Sequence, residues 1–114
     1  MVKVEILCDK DQIMSIRMAG HAHFDEWGKD LVCAGASSIG FGALNALDEL
    51  FEQDVDLEVR ENRIRIKVLK NSDSLQLVLL FLVKQYETMV ESYPQNITVL
   101  CGTNSLFRCE KLNI

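Results

Sequence analysis

Cys33 and His21 are the residues of this chain whose types and spacing best suit covalent chemistry. A thiolate is a strong nucleophile, and a cysteine within hydrogen-bond reach of a histidine base is the minimal arrangement for acyl transfer. His21 lies twelve residues before Cys33, at the mouth of a stretch that can fold back on it. With Asp30 as N-cap, Cys33 is the third residue of a helix and its side chain lies in the first turn. A helix start carries about half a positive charge, which favours an anion there. Its free N–H groups can also hold a developing oxyanion. Asp30 opposes this if its carboxylate faces the sulfur and supports it if it orients the histidine. Two blander or rival readings stay open on spacing alone. A lone helical cysteine is most often a small core residue. His21-x-His23 with Cys33 offers three zinc ligands, but a structural zinc site takes four. With no paired cysteines and no further histidine, neither a metal nor another cofactor is expected.

Several elements must position these residues. Val2, Val4 and Ile6 alternate with Lys3 and Glu5, which predicts a half-buried strand. Asp9-Lys10-Asp11-Gln12 is its turn, and Ile13 to Met18 returns as a second strand ending at Gly20. Gly20 to Asp30, GHAHFDEWGKD, has neither helical nor strand period and reads as a loop. Loops of that length are usually functional. Its Phe24 and Trp27 suit either a lid or an anchor onto the core. Apolar residues from Val32 to Phe51 then recur at spacings of three and four, which predicts a helix over Leu31 to Gln53. Its first half holds Gly35, Gly40 and Gly42 among other small residues. Glycine costs about 1 kcal/mol per interior helix position, so close packing or room for a substrate backbone must compensate. Packing is the simpler explanation.

Val55 to Val59 and Arg63 to Leu69 alternate around Glu61-Asn62, a second hairpin. Arg63, Arg65 and Lys67 share one face, read as a solvated sheet face paired with acids such as Glu58. Asn71-Ser72-Asp73 caps a second helix running to about Ser92, stopped by Pro94, and Ile97 to Leu100 is a last strand. Leu75 to Val83 is apolar nearly all round, which suggests a subunit interface.

The whole chain, residues 1–114, is expected to form one domain. Twelve lysines and arginines against seventeen carboxylates give a net charge of −5. Such a balance is a poor electrostatic footprint for nucleic acid and a better one for basic partners. The N-terminus lacks the features of a signal peptide. The longest apolar run, Leu77 to Val83, is far short of the ~20 residues of a membrane span. No membrane partner is expected, and all four cysteines are read as reduced thiols of a cytoplasmic protein.

At this point the residues carry a resemblance. Gly20-His21-Ala22, then Gly28, then Asp30-Leu31-Val32-Cys33-Ala34 and Ser37, resemble the signature of the ribosomal-processing cysteine protease family, Prp. The order of elements is similar over about residues 1–101. The sequence departs from the family pattern at Gly35-Ala36 and in the extra imidazole of His23. The resemblance implies a homodimeric cysteine endopeptidase that removes a short N-terminal extension from large-subunit ribosomal protein twenty-seven during ribosome assembly. It implies His21 as base and Cys33 as nucleophile, with Asp30 and Ser37 as supporting polar residues. Gly20 and Gly28 would be hinges of a mobile loop, and Ala22 and Ala34 would line the peptide.

The expected fold is α+β in two layers, a largely antiparallel sheet with two helices, in the order hairpin, helix, hairpin, helix, strand. The partner implied is the ribosomal-protein precursor, with no direct nucleic-acid binding. The alternative is a non-enzymatic, ribosome-associated module that binds the same peptide.

Overall fold

The computed structural model describes residues 1–20 and 29–103. Alternating Val2, Val4, Ile6 and Cys8 bury one face of β1 (Val2–Asp9). Lys10 and Asp11 both take positive φ, 50° and 69°. That turn matches the twist of paired strands and returns the chain as β2 (Gln12–Ala19). After α1 (Lys29–Leu50) come β3 (Val55–Arg60), β4 (Arg63–Val68), α2 (Asp73–Ser92) and β5 (Ile97–Thr103). The strands form one sheet in the order β3-β4-β2-β1-β5. All neighbours are antiparallel except β1 and β5. The expected α+β, two-layer architecture is therefore present.

Both helices cross over between parallel strands, α1 from β2 to β3 and α2 from β4 to β5. Right-handed crossovers place both on one face of the sheet. Between helices and sheet lies the core, which includes Val4, Ile16, Leu47, Ile66, Leu79 and Ile97. The opposite face carries registered rows of polar side chains, such as Glu58–Arg65–Arg17–Glu5.

Ser72 caps α2, its hydroxyl accepting from the Leu75 N–H at 3.1 Å. One turn in, the Gln76 side chain accepts from Ile13 N–H and donates to Ile13 C=O, each at 2.8 Å. This clamp fixes the start of α2 against the start of β2. Leu75, Leu79, Leu82, Val83 and Tyr86 are buried, whereas Leu77 and Phe81 stand 69% and 67% exposed. One chain thus covers a single side of this apolar helix.

Several boundaries differ from the sequence reading. Helix α1 runs from Lys29 to Leu50 rather than from Leu31 to Gln53, so Asp30 is its second residue and not its N-cap. Periodicity locates a helix body well and its ends poorly, because capping depends on backbone geometry outside the pattern. β5 extends to Thr103, three residues past Leu100, since pairing with β1 continues to Cys8↔Thr103. Helix α1 is also long and apolar enough, by length and composition, to cross a membrane. Here its stripe of Val32, Ala36, Leu44 and Leu47 is buried in the core. Cys33 is a free thiol, but Cys8 is disulfide-bonded. The expectation of four reduced thiols fails there. The compartment argument is blind to geometry, and β5 ends beside Cys8.

The small residues of α1 divide by position. A Cβ on Gly40 would lie 2.9 Å from Ile64 Cδ1 and 3.0 Å from Tyr86 Oη. One on Gly35 would meet Met89 Cε at 3.1 Å. A Cβ on Gly42 would meet nothing within 4 Å. Packing therefore explains Gly40 and Gly35 but not Gly42. Gly40→Ala should destabilise the protein, because overpacking costs about 1–3 kcal/mol against a helix gain of about 1 kcal/mol. Gly42→Ala should stabilise it by up to about 1 kcal/mol. Urea unfolding midpoints check both, and equal stabilisation by the two would contradict this packing.

Candidate active site

Cys33 is the fifth residue of α1, two residues deeper than the sequence reading placed it. The field of a helix end falls off within the first turn. Proximity to free N–H groups is therefore weaker than the capping argument supposed. What the fold supplies instead is placement. Val32 and Ala36 are buried against the sheet, and Cys33 and Ser37 lie on the adjoining flank, both half-buried. Residues four apart in a helix are neighbours, so the thiol and the Ser37 hydroxyl share that flank. Asp30 precedes Cys33 by three positions, which gives its backbone the same stripe. Ala34 is exposed beside them.

The flank facing α2 is a different one. Gly35 approaches Met89, while Ile39, Gly42, Ala43 and Ala46 line a cleft of about 250 Å³ with Val78 and Phe81. The thiol therefore faces away from the helix–helix cleft.

Tyr86 sets the level of Cys33 along the sheet. Its hydroxyl lies 3.4 Å from the Ala36 carbonyl oxygen, to which it donates, and 3.4 Å from Met18 Sδ. Burial pushes this phenol well above the usual tyrosine range, so it stays a protonated donor. Ala36 is one turn beyond Cys33, and Met18 is two residues before Gly20. A single buried side chain thus ties the thiol's helix to the exit of β2.

That exit is itself constrained. Gly20 has φ +88° and donates its N–H to Asn62 C=O at 3.2 Å. A Cβ there would run into the Met1 carbonyl oxygen. Glycine is required on both counts, of backbone conformation and of space. Gly20 is also the residue from which the chain departs toward His21. His21, Ala22 and Gly28, and with them His23, Phe24 and Trp27, lie outside the described residues. Of the predicted site residues the structure brings together Cys33, Ser37 and the backbone of Asp30 on one stripe of α1, and places Gly20 just past the end of β2.

Sequence reasoning missed Tyr86 and singled out Gly40 only as one glycine among several. The single signal for Tyr86 is a hydroxyl within an otherwise apolar helical stripe. Nothing in the pattern tells which backbone carbonyl it reaches. Among the described residues no group of three or more histidine, cysteine or acidic side chains is arranged to hold a metal ion.

The comparisons with known proteins agree with this geometry. The profile of the family described as cysteine protease Prp matches residues 1–98. The ribosomal processing cysteine protease Prp of Staphylococcus aureus strain Mu50 is 36% identical over 102 residues, covering 85% of this chain and 95% of that protein. The Bacillus subtilis protein of the same name is 34% identical over 94 residues, covering 76% and 84%. A crystal structure of the essential S. aureus protease Prp with a covalently linked product peptide superposes with a TM-score of 0.77 at 32% identity. It covers 88% of this chain and 98% of that one. The same S. aureus protease with a substrate peptide gives a TM-score of 0.79 at 31% identity, over 87% and 97% of the two chains. On fold, flank and sequence together, this chain belongs to the cysteine protease Prp family.

Proposed function

We propose that this chain is the endopeptidase that removes the N-terminal extension of large-subunit ribosomal protein twenty-seven, with Cys33 as nucleophile and His21 as base. The observation that carries the reading is a free, half-buried thiol held on the exposed flank of α1 in a chain of the Prp family. A relative solved with a covalently linked product peptide supports a covalent route.

In this mechanism His21 takes the Cys33 proton and the thiolate attacks the scissile carbonyl. The resulting oxyanion collapses, the C–N bond breaks, and His21⁺ gives its proton to the leaving amine. Water then attacks the thioester, with His21 as base, and frees the thiol and the new carboxylate. Ser37, one turn after Cys33 on the same flank, and Asp30, one turn before it, act as positioning residues. Gly20 and Gly28 serve as hinges of the loop that admits the peptide, and Ala22 and Ala34 leave room for its backbone. The reaction takes place in the cytoplasm, where the precursor is made, and needs no cofactor.

The same reading carries a homodimer. Leu77 and Phe81 on the outer side of α2 leave apolar surface uncovered by one chain. Burial of such side chains is worth about 1.5–3 kcal/mol each. Sedimentation should give a dimer that Phe81→Asp weakens. A monomer at micromolar concentration would remove the dimer and leave the chemistry untouched.

Cys33→Ala and His21→Ala should each reduce precursor cleavage at least about a thousandfold. Residues that act as one unit are non-additive, so the double variant should be little worse than Cys33→Ala alone. Cys33→Ala should still bind the extension peptide in a titration on the same protein. Cleavage that persists in Cys33→Ala would refute the assignment. Binding without cleavage by the reduced wild type would favour the peptide-binding module.

A further inference from the structure

The open face of the sheet concentrates one side-chain type. Four of the chain's five arginines, Arg17, Arg60, Arg63 and Arg65, fall in the outward register of β2, β3 and β4, with Lys3 and Lys67 beside them. The four arginine side chains are 39–67% exposed. Their placement works against the sheet. Arg17 pairs directly across from Arg65, and Arg60 directly across from Arg63. Like charges opposite each other on neighbouring strands destabilise.

Carboxylates answer these charges in part. Glu5 meets Arg17 at 2.6 Å, Asp56 meets Arg65 at 3.6 Å, and Glu58 is shared by three arginines, Arg63 at 2.9 Å, Arg65 at 3.5 Å and Arg60 at 3.6 Å. The row Arg60–Arg63–Ala19–Lys3, at the sheet end where β2 runs into Gly20, has no carboxylate of its own. Among the described residues the Nε–H groups of Arg63 and Arg65 find no hydrogen-bond partner. Counting Asp9 at the far end with Glu5, Asp56 and Glu58, the face holds six of twelve cations but four of seventeen carboxylates. That is +2 on the face, and six cations against thirteen carboxylates, or −7, on the remainder. The net charge of −5 conceals this separation.

We propose that this face is a docking surface for the phosphodiester backbone of RNA. Arginine presents forked donors that match phosphate oxygens two at a time. Arg63, Arg65 and Lys67 follow one another on β4 at about 6.6 Å, twice the strand rise, which sets three cations in a straight line. A line of evenly spaced cations suits a linear polyanion. No aromatic side chain stands in these rows, so the surface has no stacking platform for bases. Recognition is therefore of the backbone, independent of sequence and strongly dependent on salt. The surface lies on the face of the sheet opposite α1 and Cys33, so an RNA there leaves the thiol free. This inference does not rest on the protease reading.

The test is fluorescence anisotropy of the full chain with a labelled single-stranded RNA of mixed sequence, from about 50 to 200 mM salt. About four phosphate contacts give a log–log slope near −3, so affinity should fall at least tenfold over that range. The double substitution Lys3→Gln with Arg60→Gln should weaken binding and make the slope shallower by about 1.4. Asp56→Asn, which removes a 54% exposed carboxylate from the face, should tighten it. Asp48→Asn, on the outer side of α1, should change nothing. Absence of RNA binding at the lowest salt would overturn the proposal, as would an unchanged slope in the folded double variant together with no tightening by Asp56→Asn. A polyglutamate peptide of equal charge that binds as tightly would overturn RNA in favour of an acidic protein partner.

Discussion

Gly40 lets α1 touch the sheet, and the position of Cys33 depends on that contact. At this point the helix backbone lies so close to Ile64 and Tyr86 that a methyl group would have to displace them. The same proximity brings Tyr86 Oη to Ala36 C=O and Met18 Sδ. Helix, sheet and second helix meet around one buried hydroxyl. Cys33 sits two turns before Gly40 and one turn before Ala36, so its height and rotation over the sheet follow from this junction. At the end of β2, Gly20 takes a positive φ that glycine adopts without strain.

Much of this was legible in the residues. The alternation of Val2, Val4 and Ile6, the return at Ile13 to Met18 and the hairpin around Glu61-Asn62 each carry a period of two, and each is a strand pair. Ser72 was legible as a cap because its hydroxyl precedes an apolar helix by one position. The pairing of Arg63 and Arg65 with Glu58 followed from strand alternation alone. The start of α1 was not legible, since an aspartate beside an apolar repeat fits an N-cap and a first-turn position equally well. The Cys8 disulfide and the Tyr86 contacts depend on which segments meet in space, and no local period encodes that.

The candidate site divides along the same line. Cys33 and Ser37 share a flank because helical spacing requires it, and the sequence alone predicts as much. Which way that flank faces depends on the packing of α2, through Met89 on Gly35 and the cleft beside Gly42. Charge behaves similarly. The chain-wide sum points to basic partners, while the registered rows of the sheet separate an arginine-rich face from an acidic remainder. The thiol lies on one side of the sheet and the arginines on the other.

Covalent trapping tests the central claim most directly. A peptide with the sequence of the precursor extension, ending in an electrophile at the scissile position, is incubated with the reduced wild type, and the adduct is mapped by mass spectrometry. The account predicts one adduct per chain, on Cys33, blocked by excess uncleaved precursor and absent from His21→Ala over the same time. An adduct on Cys101, or none on Cys33 while the precursor is being cleaved, would contradict it.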